Sequence, residues 1–112
     1  MASGVINTIG SVIEGTVASG TEGAIKGSLN LLKGTYVVSA FSGSASADGR
    51  CLFAIKNTTT SQVYASCLLT GRQWNLSAVV NLDDAASVEF SYAGGNSITT
   101  TTTGSISAVK IA

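Results

Sequence analysis

The chain has 112 residues, enough for one domain with a single core but not for two. Only 11% of them are charged, and the six basic and six acidic residues cancel, so nothing steers the protein electrostatically toward DNA, RNA or an anionic membrane surface. The lack of histidine excludes His-assisted Ser or Cys hydrolysis, and with two cysteines a zinc site is short of ligands. The composition therefore predicts a protein that is not an enzyme, holds no cofactor and works through its surface. With so few charges, that surface must be built from Ser, Thr, Asn and Gly, and it lacks the repulsion that keeps a protein monomeric.

No stretch approaches the roughly 20 continuous apolar residues needed to cross a bilayer, so no membrane insertion is expected. No basic segment precedes Val5, and glycines interrupt the apolar residues after it, so a secretory signal is not expected either.

Residues 1–33 form the first segment. Val5, Ile6, Ile9, Val12, Ile13 and Val17 fall near helical spacing. Gly4, Gly10 and Gly15 interrupt them, each at a cost of about 1 kcal/mol relative to alanine inside a helix. The alternative is one or two strands, at Ser11–Ala18 and Ala24–Leu32. Under either reading the segment is an arm or first-sheet element that depends on other contacts, and residues 3–17 are expected to dock on a neighbouring protein through Val5, Ile6, Ile9, Val12 and Ile13.

Residues 34–112 read as a β-sandwich. Thr35–Ser42 places Tyr36, Val38 and Ala40 on one face. After the small-residue loop Gly43–Gly49 come Arg50–Lys56 and Gln62–Thr70. Trp74, Leu76, Ala78, Val80 and Leu82 then alternate with polar residues, and beyond Asp83-Asp84-Ala85 the pattern resumes as Ala86, Val88, Phe90 and Tyr92. Gly94-Gly95-Asn96 is the last turn signal, followed by Ser97–Thr103 and Ser105–Ala112. Strands at intervals of about 8–12 residues with Gly, Asn or Asp turns indicate a sandwich or barrel. The threonine run Thr99–Thr103 suits a polar edge strand, or a hydroxyl ladder facing a partner.

A hairpin turning about Thr59 would set Phe53 opposite Ala65 and Cys51 opposite Cys67. Directly opposed Cβ atoms lie about 4.5–5.5 Å apart, slightly wide for a disulfide. A Cys51–Cys67 bridge and two buried, reduced thiols both fit, and the missing signal favours the thiols. Tyr64 and Trp74 are candidates for stacking on a sugar ring, Tyr64 on the strand face opposite the cysteines and Trp74 on an aliphatic strand face where core packing is the competing reading. Asn81, Asp83 and Asp84 cluster oxygens as a calcium site does, but three ligands in one turn fall short of one.

Gly34-Thr35-Tyr36-Val37-Val38 resembles the Gly-x-Tyr strand of tumour necrosis factor-like jelly rolls, including the complement-type globular head. The order of later segments is similar, through Ser77–Leu82, a tight acidic turn and Ser87–Tyr92, to a closing Gly104–Ile111. The chain is shorter than such heads, and Asp83-Asp84 stands where they carry Gly-Asp. Similar outlines occur in small domains of bacteriophage fibres, tail tips and capsid decoration proteins. The resemblance implies an all-β, single jelly-roll-like antiparallel sandwich with a short N-terminal arm. It further implies a homo-oligomer, a trimer by preference, that contacts other virion proteins and is localised to the virion. Carbohydrate-binding jelly rolls share the pattern, so a glycan is the alternative partner.

Overall fold

A computed structural model describes residues 8–43 and 49–112. The first strands are β1 (Val12–Val17), β2 (Gly20–Thr21), β3 (Lys26–Leu31) and β4 (Gly34–Ser42). The hairpin β5 (Gly49–Asn57) and β6 (Val63–Gly71) follows, then β7 (Trp74–Leu82) and β8 (Ala86–Gly95). The chain closes with β9 (Thr99–Thr100) and β10 (Gly104–Lys110), and one 3-10 turn spans Glu22–Ala24.

Two four-stranded antiparallel sheets face each other, ordered β1-β10-β4-β7 and β3-β8-β5-β6, while β2 and β9 form a small pair of their own. Of the main strands, only β5 and β6 are joined by a hairpin within one sheet; every other connection crosses to the opposite sheet. This interleaving is the jelly-roll arrangement, and it lets each sheet bury one face against the other.

The core follows from the alternation. Tyr36, Val38 and Ala40 of β4, Trp74, Ala78, Val80 and Leu82 of β7, and Val88 and Phe90 of β8 are all buried. At its centre Phe53 stacks on Phe90 with ring centroids 4.9 Å apart and on Trp74 at 5.6 Å, and meets the edge of Tyr92 at 5.9 Å. Aromatic pairs in these geometries add about 0.5–1.5 kcal/mol each beyond the area they bury. The hydroxyl of Tyr36 donates to Leu32 O at 2.8 Å, so burying that ring strands no polar atom. Gly34, two residues before it, has φ +149°, a conformation that side chains disfavour.

Residues 11–31 decide between the two readings of the first segment in favour of strands, close to the expected Ser11–Ala18 and Ala24–Leu32. Val12–Val17 is a strand paired along its length with β10, and Lys26–Leu31 pairs with β8. Ile13 and Val17 are core residues, buried with Leu29 and Leu31. The sandwich therefore begins at Val12 and not at residue 34. The glycines disfavour a helix, whereas an edge strand paired along its length with one neighbour tolerates them. At Gly27 a side chain would collide with the carbonyl of Thr16, so the glycine lets β3 pass close beside β1. Val5 and Ile6 lie outside the described residues, as does most of the Gly43–Gly49 loop.

The threonine run is also shorter as a strand than its composition suggests, since β9 spans Thr99–Thr100, opposite Thr21 and Gly20. Thr100 is buried and its Oγ1 accepts the Gly20 N–H at 3.0 Å, so this hydroxyl is spent within the chain. Gly94 and Gly95 belong to β8 and do not form a turn. Their φ values of +156° and +101° accompany a register shift opposite Leu52 and Phe53. That local irregularity is a β-bulge, which glycine accommodates without strain.

Candidate functional site

The β5–β6 hairpin sets up the one polar cleft that gathers several of the sequence candidates. Asn57 ends β5 and organises the turn: its side-chain Oδ1 accepts the N–H groups of Thr59 at 2.8 Å and Thr60 at 3.1 Å. Its backbone N–H donates to Gln62 O at 2.8 Å. Asn side chains stabilise turns in this way, which explains why Asn57 is buried although polar. The turn is tied to β8 as well, through Thr58 N–H to Ser87 O at 2.9 Å.

Closing Asn57 on Gln62 moves the hairpin register one place beyond a turn centred on Thr59, and a β-bulge moves it once more. Lys56 pairs with Val63 but Ile55 pairs with Ala65, so Tyr64 is the extra residue. Two consequences follow. Cys51 lies opposite Leu69 and Cys67 opposite Phe53, so the expected Cys51–Cys67 pairing is not formed. Both thiols are free, Cys51 buried and Cys67 exposed on the edge strand, which also corrects the reading of two buried thiols. Burial, with a smaller contribution from the Glu22 carboxylate, pushes the Cys51 thiol above its ordinary pKa and keeps it protonated and inert.

The second consequence concerns Tyr64. The bulge turns this residue away from the outer strand face expected for it and against the edge of the core, where its hydroxyl accepts from Asn57 Nδ2 at 3.2 Å. It lines a cleft of about 250 Å³ at one end of the sandwich, together with Gln62, Asn81, Asp83 and Asp84. The β7–β8 turn supplies the two aspartates, and Asn81 accepts from Thr35 Oγ1 at 3.1 Å. Among the described residues no group of three Cys, Asp or Glu side chains is placed to hold a metal ion. Hydroxyl, amide and carboxylate groups around a half-buried aromatic ring make a surface that can hydrogen-bond a polyol. Trp74 is not part of it. At 1% exposure and stacked on Phe53, it cannot stack on a ligand.

The remaining candidates lie at the other extreme of exposure. Ile9 is 67% exposed and Val12 is 54% exposed, whereas Ile13, next to Val12, points into the core. Pairing with β10 splits the expected docking set by alternation, one side chain outward and the next inward. The outward set continues elsewhere in the chain: Val79 is 64% exposed, and Phe41 and, just past β10, Ile111 are exposed too. Spacing within residues 1–33 could not reveal this grouping, because its members come from four separate segments of the chain.

No family model matches the sequence, and no curated protein does. Among solved structures, the crystal structure of the SPBc2 prophage-derived protein YomS is similar over 94% of this chain and 99% of that one, with 16% identity and a TM-score of 0.38. At that TM-score the likeness carries no conclusion about this chain.

Proposed function

We propose that the protein is a non-enzymatic structural component of a virus particle, of the capsid-decoration or fibre and tail type, that acts by subunit assembly. The observation that carries this reading is the exposed apolar surface formed by Val12, Val79, Ile111 and Phe41 on the weakly charged outer side of the β1-β10-β4-β7 sheet. Single exposed apolar side chains are ordinary, but several gathered on one side of a small domain mark an interaction surface. Jelly rolls recur in viral capsids, where such faces are covered by neighbouring subunits. A homo-oligomer contacting other virion proteins accounts for both the low charge and the apolar exposure.

The test is to purify particles from lysates of the source organism and digest them for mass spectrometry. The chain is expected in fixed ratio to the major capsid or tail protein, with immunogold label on intact particles. Its presence only in the unassembled fraction would end the reading.

The end cleft supports a second reading, a carbohydrate-binding module. Its favouring observation is the placement of Tyr64 beside Gln62, Asn81, Asp83 and Asp84. Binding on a glycan array that is lost in both Tyr64→Ala and Asp84→Ala would establish it. An array without signal would remove it and leave the assembly reading untouched.

A further inference from the structure

The registers of the β1-β10-β4-β7 sheet align one residue from each strand into a row: Val12 opposite Val109, Val109 opposite Val37, and Val37 opposite Val79. All four point away from the core, since their chain neighbours Ile13, Ala108, Val38, Ala78 and Val80 are the buried ones. A stripe of four valines thus crosses the whole outer face at right angles to the strands. On one side of it lies the row Glu14, Ser107, Ser39 and Ser77, in which Ser77 Oγ donates to Ser39 Oγ at 3.1 Å. On the other side Ile111, Thr35 and Asn81 continue the pattern without charge. Among the described residues of these rows, Glu14 carries the only charge.

We infer that this face is the contact between two copies of the chain, packed sheet against sheet with valine stripe on valine stripe. The inference rests on the assembly reading above and names its surface. Four strands about 4.8 Å apart, each about eight residues long at roughly 3.4 Å per residue, present close to 520 Å² of face. Two such faces bury about 1,000 Å², which reaches the threshold for a specific interface. Aligned sheets pack about 10 Å apart with side chains interdigitated, and valine suits that spacing.

The symmetry of the stripe selects a second copy over an unrelated partner. A two-fold axis in the plane of the interface, parallel to the strands and between β10 and β4, maps the stripe onto itself. It sets Val12 over Val79 of the second copy and Val109 over Val37 of the second copy. The flanking serine rows then meet each other, and Glu14 faces Ser77 of the second copy, so no carboxylate meets its like. A two-fold contact needs such a self-complementary patch. The stripe supplies one across four strands.

Sedimentation velocity on the full chain tests this. The expected result is a species of twice the chain mass. Val12→Lys or Val79→Lys should weaken association at least tenfold while the circular dichroism spectrum stays unchanged, because both side chains are exposed in the single chain. Leu68→Lys, on the outer surface of the opposite sheet's edge strand, should leave association as it was. Combining Val12→Lys with Val79→Glu should restore the dimer, since the two positions face each other across the axis. A trimer unaffected by Val79→Lys would overturn this interface and leave the assembly reading standing. A monomer at every concentration would overturn the interface, and the particle analysis above would then judge the assembly reading by itself.

Discussion

The two outer faces of the sandwich are built on one core and differ in how charge is distributed over them. The β1-β10-β4-β7 face carries the valine row, flanked by serine, threonine and asparagine. The β3-β8-β5-β6 face carries Lys26, Glu89 and Lys56, the last two directly opposite each other across β5 and β8, together with exposed Val63 and Leu68 on its edge strand. Both sheets have the same inward alternation, so burial against the core does not distinguish them. What distinguishes them is the cost of leaving each outer face in water. A lysine and a glutamate opposed on a strand pair are well solvated and contribute modestly to pairing. Four contiguous valines are not solvated, and each exposed one forfeits about 1.5 kcal/mol or more that burial would provide. This outward row is the observation on which the proposed contact between two copies rests.

The largest effect is expected from Phe53→Ala, which removes the ring that both sheets share. A stability loss of about 3–5 kcal/mol, read from urea unfolding, should erase both faces together. If it cost less than about 1 kcal/mol, the two sheets would not be sharing a common core at that ring.

Asn57→Ala is next and acts on the charged-face sheet alone. It removes the acceptor of two turn N–H groups and the donor to Tyr64, with an expected loss of about 1–3 kcal/mol. Hydrogen exchange should rise in the β5–β6 turn while the valine face keeps its protection. Equal loosening in both sheets would show that the faces are not independent.

Alkaline pH should produce a smaller effect. Burial raises the pKa of Cys51 above its unfolded value, so the neutral thiol is favoured by folding. That contribution is whole below the unfolded pKa of about 8.5 and is lost as pH rises through the higher folded value. Tm should therefore fall above about pH 8.5 in the natural chain and fall less steeply in Cys51→Ala. Equal slopes would mean that the thiol is ionised freely in the folded state.

The smallest effect belongs to the charged face. Lys56→Ala is expected to change stability by less than about 0.5 kcal/mol and to leave sedimentation unaltered, because exposed cross-strand charges are weak and salt-screened. A change in association would move the interface, or part of it, to the opposite sheet.

Much of the fold was legible in period-two alternation, and the reason is physical. A strand in a sandwich buries alternate residues, so Trp74, Ala78, Val80 and Leu82, and then Val88 and Phe90, announce a buried face without knowledge of what covers it. The hairpin register was not legible in the same way. One asparagine side chain closing a turn, and one bulged residue, displaced the pairing by two places. That separated Cys51 from Cys67 and turned Tyr64 toward Asn57. The end cleft was half legible: Tyr64 and the Asp83-Asp84 turn stood out as residue types, but only the bulge brings them together. For Trp74 the choice between core and ligand depended on the ring of Phe53, which lies 21 positions away in the sequence.

Composition and alternation are properties of each segment alone, and they specify a weakly charged, all-β sandwich that contains no histidine. Tertiary structure alone decided that residues 12–31 belong to the sandwich and that four valines from β1, β4, β7 and β10 share one row. Alternation reports which way a side chain points within its own strand. Which side chains become neighbours depends on strand order and register, and those are settled by long-range pairing between segments as far apart as Val12 and Val109.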